Sequence, residues 1–314
     1  MITFGPVPSR RLGKSLGINN TIFPKTCSYS CIYCQVGKTI KKNCRREHFY
    51  NPKVIYERVV KHLNTLSEDN YPDYLTFVSN GEPTLDENLG KAIKLLRKTD
   101  IPVAVISNAS LLCFDSVKDD LQLADWVSLK MDAGDIITWY LINRPVAGLD
   151  FENILTNIKL FSDEYKGRLC TETMIVNGIN DSTENISALA EIVKRINPEI
   201  AYLAVPIRPP VEKFVKLPNT AMLNLAWQIF NKMQIKTEFL TGFEGTDTGY
   251  TGNIYEDILN ITAVHPLRED TLLKLLQNDG AVYSVVDSLI HQRLIKSIIY
   301  EGNKYFIRDY HSTV

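Results

Sequence analysis

Tyr74-Leu75-Thr76-Phe77-Val78-Ser79-Asn80-Gly81-Glu82-Pro83 opens as a β-rich run and breaks into small polar residues, a glycine and a proline. Apolar residues at helical spacing follow from Asn88 to Arg97 (Leu89, Ile93, Leu96), and Ile101–Ile106 reads as a second strand. The alternation continues down the chain. Asp125–Met131, Leu169–Val176 and Ala201–Ile207 are strand-like; Phe151–Phe161 and Ser182–Ile196 have helical spacing between them. Strands alternating with helices predict a parallel sheet with right-handed crossovers.

Upstream of that first strand lies Cys27-Ser28-Tyr29-Ser30-Cys31-Ile32-Tyr33-Cys34. Thiolates at these spacings sit on one short loop and can fold around one inorganic centre. A structural zinc or a four-cysteine cluster requires a fourth ligand. Three close thiolates without an evident fourth suggest instead a cubane cluster with one iron open, with a zinc knuckle as the alternative. C-x3-C-x-aromatic-C, with Tyr33 before the last cysteine, resembles the signature of the radical S-adenosylmethionine (SAM) superfamily. The resemblance implies a [4Fe-4S] cluster on Cys27, Cys31 and Cys34 whose open iron binds the SAM amino and carboxylate groups. It also implies a partial (β/α)6 barrel over residues 1–240, with functional groups gathered where strands end.

Strand ends supply the remaining candidates. Gly81-Glu82-Pro83 resembles the motif whose backbone and carboxylate hold the SAM amino group; Gly81 permits close backbone approach and Pro83 fixes the turn. Ser107 and Asn108 end the next strand, where the resemblance places contacts to the SAM ribose or carboxylate. In the third strand Val127, Leu129 and Met131 alternate with Ser128, Lys130 and Asp132. The apolar set would pack under helices, leaving the polar set facing the barrel interior. An inward Lys130 needs a carboxylate, either Asp132 or that of SAM. Tyr33 is expected against the adenine side. Glu172 shares a strand face with Cys170, and can act on substrate or serve as an ionic partner of Lys130 or Arg208. Arg208, before Pro209-Pro210, suits bidentate capture of a carboxylate or phosphate. Lys130, Glu172 and Arg208 are thus the candidate catalytic residues.

Phe4-Gly5-Pro6-Val7-Pro8-Ser9-Arg10-Arg11-Leu12-Gly13, with Ser128–Asp132 and Gly178-Ile179-Asn180-Asp181, narrows the resemblance to iron–sulfur oxidoreductases related to the wybutosine-forming tRNA enzymes. No cysteine precedes Cys27, and Cys44, Cys113 and Cys170 are too widely spaced for a second cluster. That argues against a wybutosine-type reaction.

The composition bounds the rest. A formal charge of −1 gives no global pull toward nucleic acid or anionic membrane. Met1-Ile2-Thr3-Phe4-Gly5-Pro6 does not read as a secretory leader, and no apolar run approaches the roughly 20 residues needed to span a bilayer. Three clustered cysteines out of six fit a reducing, cytoplasmic setting. Lys38 to Arg46 is a local basic run, which reads either as a solvated loop or as a docking patch for an acidic electron donor such as flavodoxin or ferredoxin, or for an anionic substrate.

Residues 241–253 read as a Gly/Thr-rich linker, without the glycine–lysine arrangement of a phosphate-binding loop. Beyond it Tyr255–Ile261, Leu267–Leu276 and Val282–Gln292 have helical spacing. Leu294–Tyr300 and Lys304–Arg308 then form a hairpin with Glu301-Gly302-Asn303 at its turn. Residues 254–314 therefore resemble a winged-helix-like α+β domain. From His265 to Val314 there are six Lys/Arg and six Asp/Glu, and Val282–Gln292 carries Asp287 with no Lys or Arg. Such a surface offers little phosphate neutralisation, which argues against DNA.

The expected function is reductive cleavage of SAM at a [4Fe-4S] cluster, the 5′-deoxyadenosyl radical then abstracting hydrogen from a substrate. A peptide or protein is favoured as substrate over RNA. The alternatives are tRNA or RNA base modification, or a non-catalytic iron–sulfur redox or regulatory protein.

Overall fold

The computed structural model describes residues 2–310, so Met1 and the last residues of the expected C-terminal domain, 311–314, lie outside the described residues. The chain begins with strands β1 (Thr3–Ser9) and β2 (Gly13–Ile18), then the short pair β3 (Thr26–Cys27) and β4 (Lys41–Lys42) and helix α1 (Pro52–Leu63). Alternation follows as β5 (Tyr74–Phe77), α2 (Leu89–Leu96), β6 (Val103–Ser107), α3 (Asp115–Leu121), β7 (Trp126–Lys130), α4 (Ile136–Asn143) and α5 (Phe151–Glu164). It continues with β8 (Arg168–Met174), α6 (Thr183–Ile196), β9 (Ile200–Ala204), α7 (Thr220–Lys232) and β10 (Thr237–Leu240).

These strands make one curled sheet in the order β1-β2-β5-β6-β7-β8-β9-β10, parallel from β2 onward, with β1 antiparallel on the edge. This is the expected half-barrel. Helix starts follow from their caps: Asp150 accepts from the backbone N–H of Asn153 and Ser182 from that of Asn185. Val127 and Leu129 lie in the core between sheet and helices. Trp126, Ala104, Cys170, Tyr202 and Leu12 share a second cluster on the inner face. The alternation read in the third strand thus sorts its side chains as expected.

Sequence periodicity did not reveal β1, β2 or β10. Gly5-Pro6 and Pro8 interrupt β1, and proline is confined to sheet edges. Phe4 opposes Gly17 across the β1–β2 pair, and a Cβ on Gly17 would lie 2.0 Å from the Phe4 ring. That glycine exists to admit the aromatic ring, not to break the strand.

The C-terminal segment runs α8 (Ile254–Thr262), β11 (Leu267–Arg268), α9 (Glu269–Asn278), α10 (Ser284–His291), β12 (Ile295–Tyr300) and β13 (Asn303–Arg308). Its antiparallel sheet has the order β11-β13-β12. Leu267, expected to open a helix, pairs instead with Phe306, so α9 starts at Glu269. The hairpin turn is tighter than expected. Asn303 already pairs with Tyr300, leaving Glu301 and Gly302 at φ 47° and 73° as a two-residue turn.

This segment is joined to the barrel by a common core in which Phe4 packs with Ile258, Ile261, Leu275 and Phe306. Tyr300 and Tyr305 donate to the carbonyls of Pro206 and Ile207 at 2.6 and 3.0 Å, just beyond β9. The 241–253 segment is likewise docked, the Gly249 N–H bonding Pro6 O at 2.7 Å. Among the described residues no helix is long and apolar enough to cross a membrane.

Candidate functional site

The cysteine loop begins at the end of β3 and lies against the C-terminal turn of α4. Ser30 N–H bonds the Asn143 carbonyl at 2.9 Å and Ile32 N–H the Ile142 carbonyl at 3.0 Å. Ile32 and Tyr29 are buried, and Trp139 Nε1 donates to the Tyr29 hydroxyl at 3.0 Å. Carbonyls at a helix end lack intrahelical donors, so the loop both is held by them and satisfies them.

Each thiol has a side-chain N–H donor aimed at it. Asn108 Nδ2 approaches Cys27 Sγ at 3.6 Å, Asn143 Nδ2 approaches Cys31 Sγ at 3.4 Å, and Lys25 Nζ lies 2.9 Å from Cys34 Sγ. Burial pushes the Cys27 thiol up to about 11 and Cys31 to about 12. Burial also works against ionisation of Cys34, but the Lys25 ammonium beside it prevails and the net shift is downward. Lys25 is itself buried and held in its charged form by the sulfurs around it, against the cost of burial.

The expected SAM-contacting residues do gather around this loop. Gly81 passes so close that a Cβ there would lie 1.8 Å from the Thr26 carbonyl oxygen. Glycine is therefore obligatory where the end of β5 crosses the strand that carries Cys27. Pro83 opens a short 3₁₀ turn. Glu82 is buried; its Oε1 accepts from Thr84 N, Thr84 Oγ1 and Ser107 Oγ at 3.1, 2.7 and 2.8 Å, and Oε2 from Asn108 N at 2.8 Å. The carboxylate ties the ends of β5 and β6 together, and Oε2 is the oxygen left with acceptor capacity. Asn108 also donates to Ser28 Oγ at 2.8 Å, fixing the amide beside Cys27.

Lys130 faces the barrel interior, yet its partner is neither Asp132 nor a free position. Its Nζ lies 2.7 Å from Glu172 Oε1, because Lys130 and Glu172 are register partners on β7 and β8. Arg11 is the second cation on the same carboxylate. Asp132, beyond the strand, turns to the cysteine loop. It accepts from the Tyr33 hydroxyl, from Asn143 Nδ2 at 2.8 Å and from Met174 N–H at 2.9 Å. Lys130 Nζ sits 5.1 Å from the Tyr33 ring centroid. Ser128 is fully buried and its Oγ has no hydrogen-bond partner.

Arg208 does not pair with Glu172. It donates to Gln35 Oε1 at 2.7 Å and forms an ion pair with Glu244. Tyr33, Cys34, Lys130, Glu172, Arg11 and Arg208 line one cavity of about 280 Å³ inside the barrel. Lys25, Asn143, Arg11 and Glu244 escaped sequence reasoning as site residues. Lys25 precedes Cys27 by two positions and Arg10-Arg11 was a visible doublet, but only the folded chain gives them partners.

A family model described as the radical SAM superfamily matches residues 21–190. The chain belongs to the radical SAM superfamily. UPF0026 protein MJ1312 of Methanocaldococcus jannaschii is 43% identical over 310 residues, covering 98% of this chain and 96% of that protein. A radical SAM methyltransferase from Sphaerobacter thermophilus has a similar structure, with TM-score 0.55 and 13% identity over 72% of this chain and 66% of that one. TYW1 with a lysine-pyruvate adduct bound aligns with TM-score 0.50 and 16% identity, over 95% of this chain and 82% of its own. Both likenesses are of fold.

As a member of this superfamily the chain is an enzyme, and the family implies a [4Fe-4S] cluster and SAM. The donor set fits them. Three thiols share one loop, each faced by a side-chain N–H donor that would also serve a cluster-bound sulfur, and a cationic core would supply the counter-charge that burial denies the thiolates.

Proposed function

We propose that Cys27, Cys31 and Cys34 hold a [4Fe-4S] cluster with an open iron, and that the cavity beside Cys34 receives SAM and a substrate whose hydrogen is abstracted. When bound, the cluster supplies the electron that cleaves SAM to a 5′-deoxyadenosyl radical. The observation that carries this reading is the convergence of the thiol loop and the ends of β5, β6 and β7 on one barrel cavity. We assign SAM contacts to the backbone at Gly81, to Asn108 and to Ser128, on or just beyond these strands. Glu82, Ser107 and Pro83 position them. Tyr33 and Asp132 orient each other next to Cys31 and border the adenine side. Lys130 and Glu172 present a paired charge to the cavity, where a proton can be held or passed. The surrounding core excludes water from the reacting atoms.

A peptide or protein substrate is favoured, reached through the C-terminal segment, which we read as a winged-helix-like module packed on the barrel. Its balanced charge supports contact with protein over nucleic acid. Exposed Lys38, Lys42 and Arg45 beside the cysteine loop suit an acidic electron donor such as flavodoxin or ferredoxin, in a reducing, cytoplasmic setting. Reconstituted protein incubated anaerobically with SAM and dithionite should release 5′-deoxyadenosine, measured by mass spectrometry. Its absence, with the cluster intact, would refute the reading.

A further inference from the structure

The charge lining the barrel cavity does not balance. Arg10, Arg11, Lys130 and Arg208 face it with two carboxylates, Glu172 and Glu244. Each carboxylate is shared by two cations: Glu172 by Lys130 and Arg11, Glu244 by Arg208 and, at 3.7 Å, Arg10. His265 adds no compensating negative charge; burial and the nearby Arg208 keep its imidazole neutral. Two positive charges are left over in the cavity lining. Arg10 Nη1 is buried and makes no hydrogen bond. A buried guanidinium N–H without an acceptor costs free energy that an incoming oxyanion would recover.

The position of Arg10 and Arg11 separates them from the cysteine loop. The β1–β2 turn carrying Arg10 and Arg11 joins the N-terminal end of the parallel strand β2, whereas the cysteine loop follows that strand's C-terminal end. Arg208 connects the two regions through Gln35, the residue after Cys34. Burial, followed by repulsion from Arg10 and Arg11, lowers Arg208 to about 9. The three guanidinium groups thus oppose one another as they stand.

We infer that Arg10, Arg11 and Arg208 form a seat for an anionic group of the substrate, a phosphate or a carboxylate, and that this seat orients the substrate toward the cysteine loop. The inference rests on the cavity being the substrate site. Guanidinium forks match either oxyanion in bidentate fashion.

Inorganic phosphate and malonate, titrated at constant ionic strength into reconstituted protein with and without SAM, test this through the thermal unfolding midpoint. A saturable rise is expected with at least one of them. A larger response to phosphate assigns a phosphate ester, and a larger response to malonate a carboxylate. Arg10→Gln should weaken apparent affinity by about tenfold, as expected for losing one charge-assisted bond, and Arg10→Lys should restore part of it. Arg10 is partly exposed, so neither change should unfold the chain. No saturable rise with either anion, a rise untouched by Arg10→Gln, or one that disappears when SAM is bound would overturn the seat. The last outcome would assign the arginines to the SAM carboxylate. Failure to form 5′-deoxyadenosine would refute the radical reading while leaving the anion titration interpretable.

Discussion

Lys25 shows what residue-level reading reaches and what it misses. The cysteine spacing was legible because three thiolates on one loop constrain their own geometry. The ammonium placed 2.9 Å from Cys34 was not, because it depends on how β3 folds back. A fixed positive charge beside a cluster favours its reduced, more negative state. Lys25→Met should therefore lower the cluster's midpoint potential in an EPR-monitored redox titration; an unchanged potential would mean the charge is screened. For the Lys130–Glu172 pair the sequence offered Asp132 and Glu172 alike as partners of Lys130, and strand register selects Glu172. Glu172→Gln strands both Lys130 and Arg11 and should cost about 3–5 kcal/mol in denaturant unfolding. Lys130→Met leaves Glu172 with Arg11 and should cost clearly less. The reverse order would show that the Arg11 contact contributes little.

At the level of elements, the strands from β5 to β9 and helices α2, α5 and α6 were readable because buried parallel strands are compact apolar runs between amphipathic helices, whereas α3 and α4 were not read. The edge was not readable: prolines interrupt the pattern of β1, and the glycine that accepts Phe4 interrupts the apolar pattern of β2 without breaking the strand. Leu267 likewise looked helical by spacing, and only its pairing with Phe306 shows otherwise. The crossing of β5 over β3 yields a sharp prediction. Gly81→Ala forces a methyl group against the Thr26 carbonyl, whose displacement should cost about 2 kcal/mol or more and drag Cys27 out of place. Iron content after reconstitution should fall together with the unfolding midpoint. Full iron loading in Gly81→Ala would show that the two segments move independently.

Considered as a whole, the molecule is a half-barrel with a C-terminal module set beside its opening, one face on β1 and two tyrosines on the chain leaving β9. Truncation after Asn253 uncovers Phe4 and Val7 and should lower the unfolding midpoint, while leaving SAM binding measurable by equilibrium dialysis and impairing turnover of substrate. Unimpaired turnover would reduce the module to a cover for apolar surface. The central claim, three cysteines around a cluster with one open iron, is tested most directly by EPR of the anaerobically reduced, reconstituted protein with and without SAM. We expect about four irons per chain and a signal that changes on adding SAM. Cys27→Ala, Cys31→Ala and Cys34→Ala should each abolish it, and Cys44→Ala should leave it intact. A signal indifferent to SAM, or lost equally in Cys44→Ala, would contradict the account.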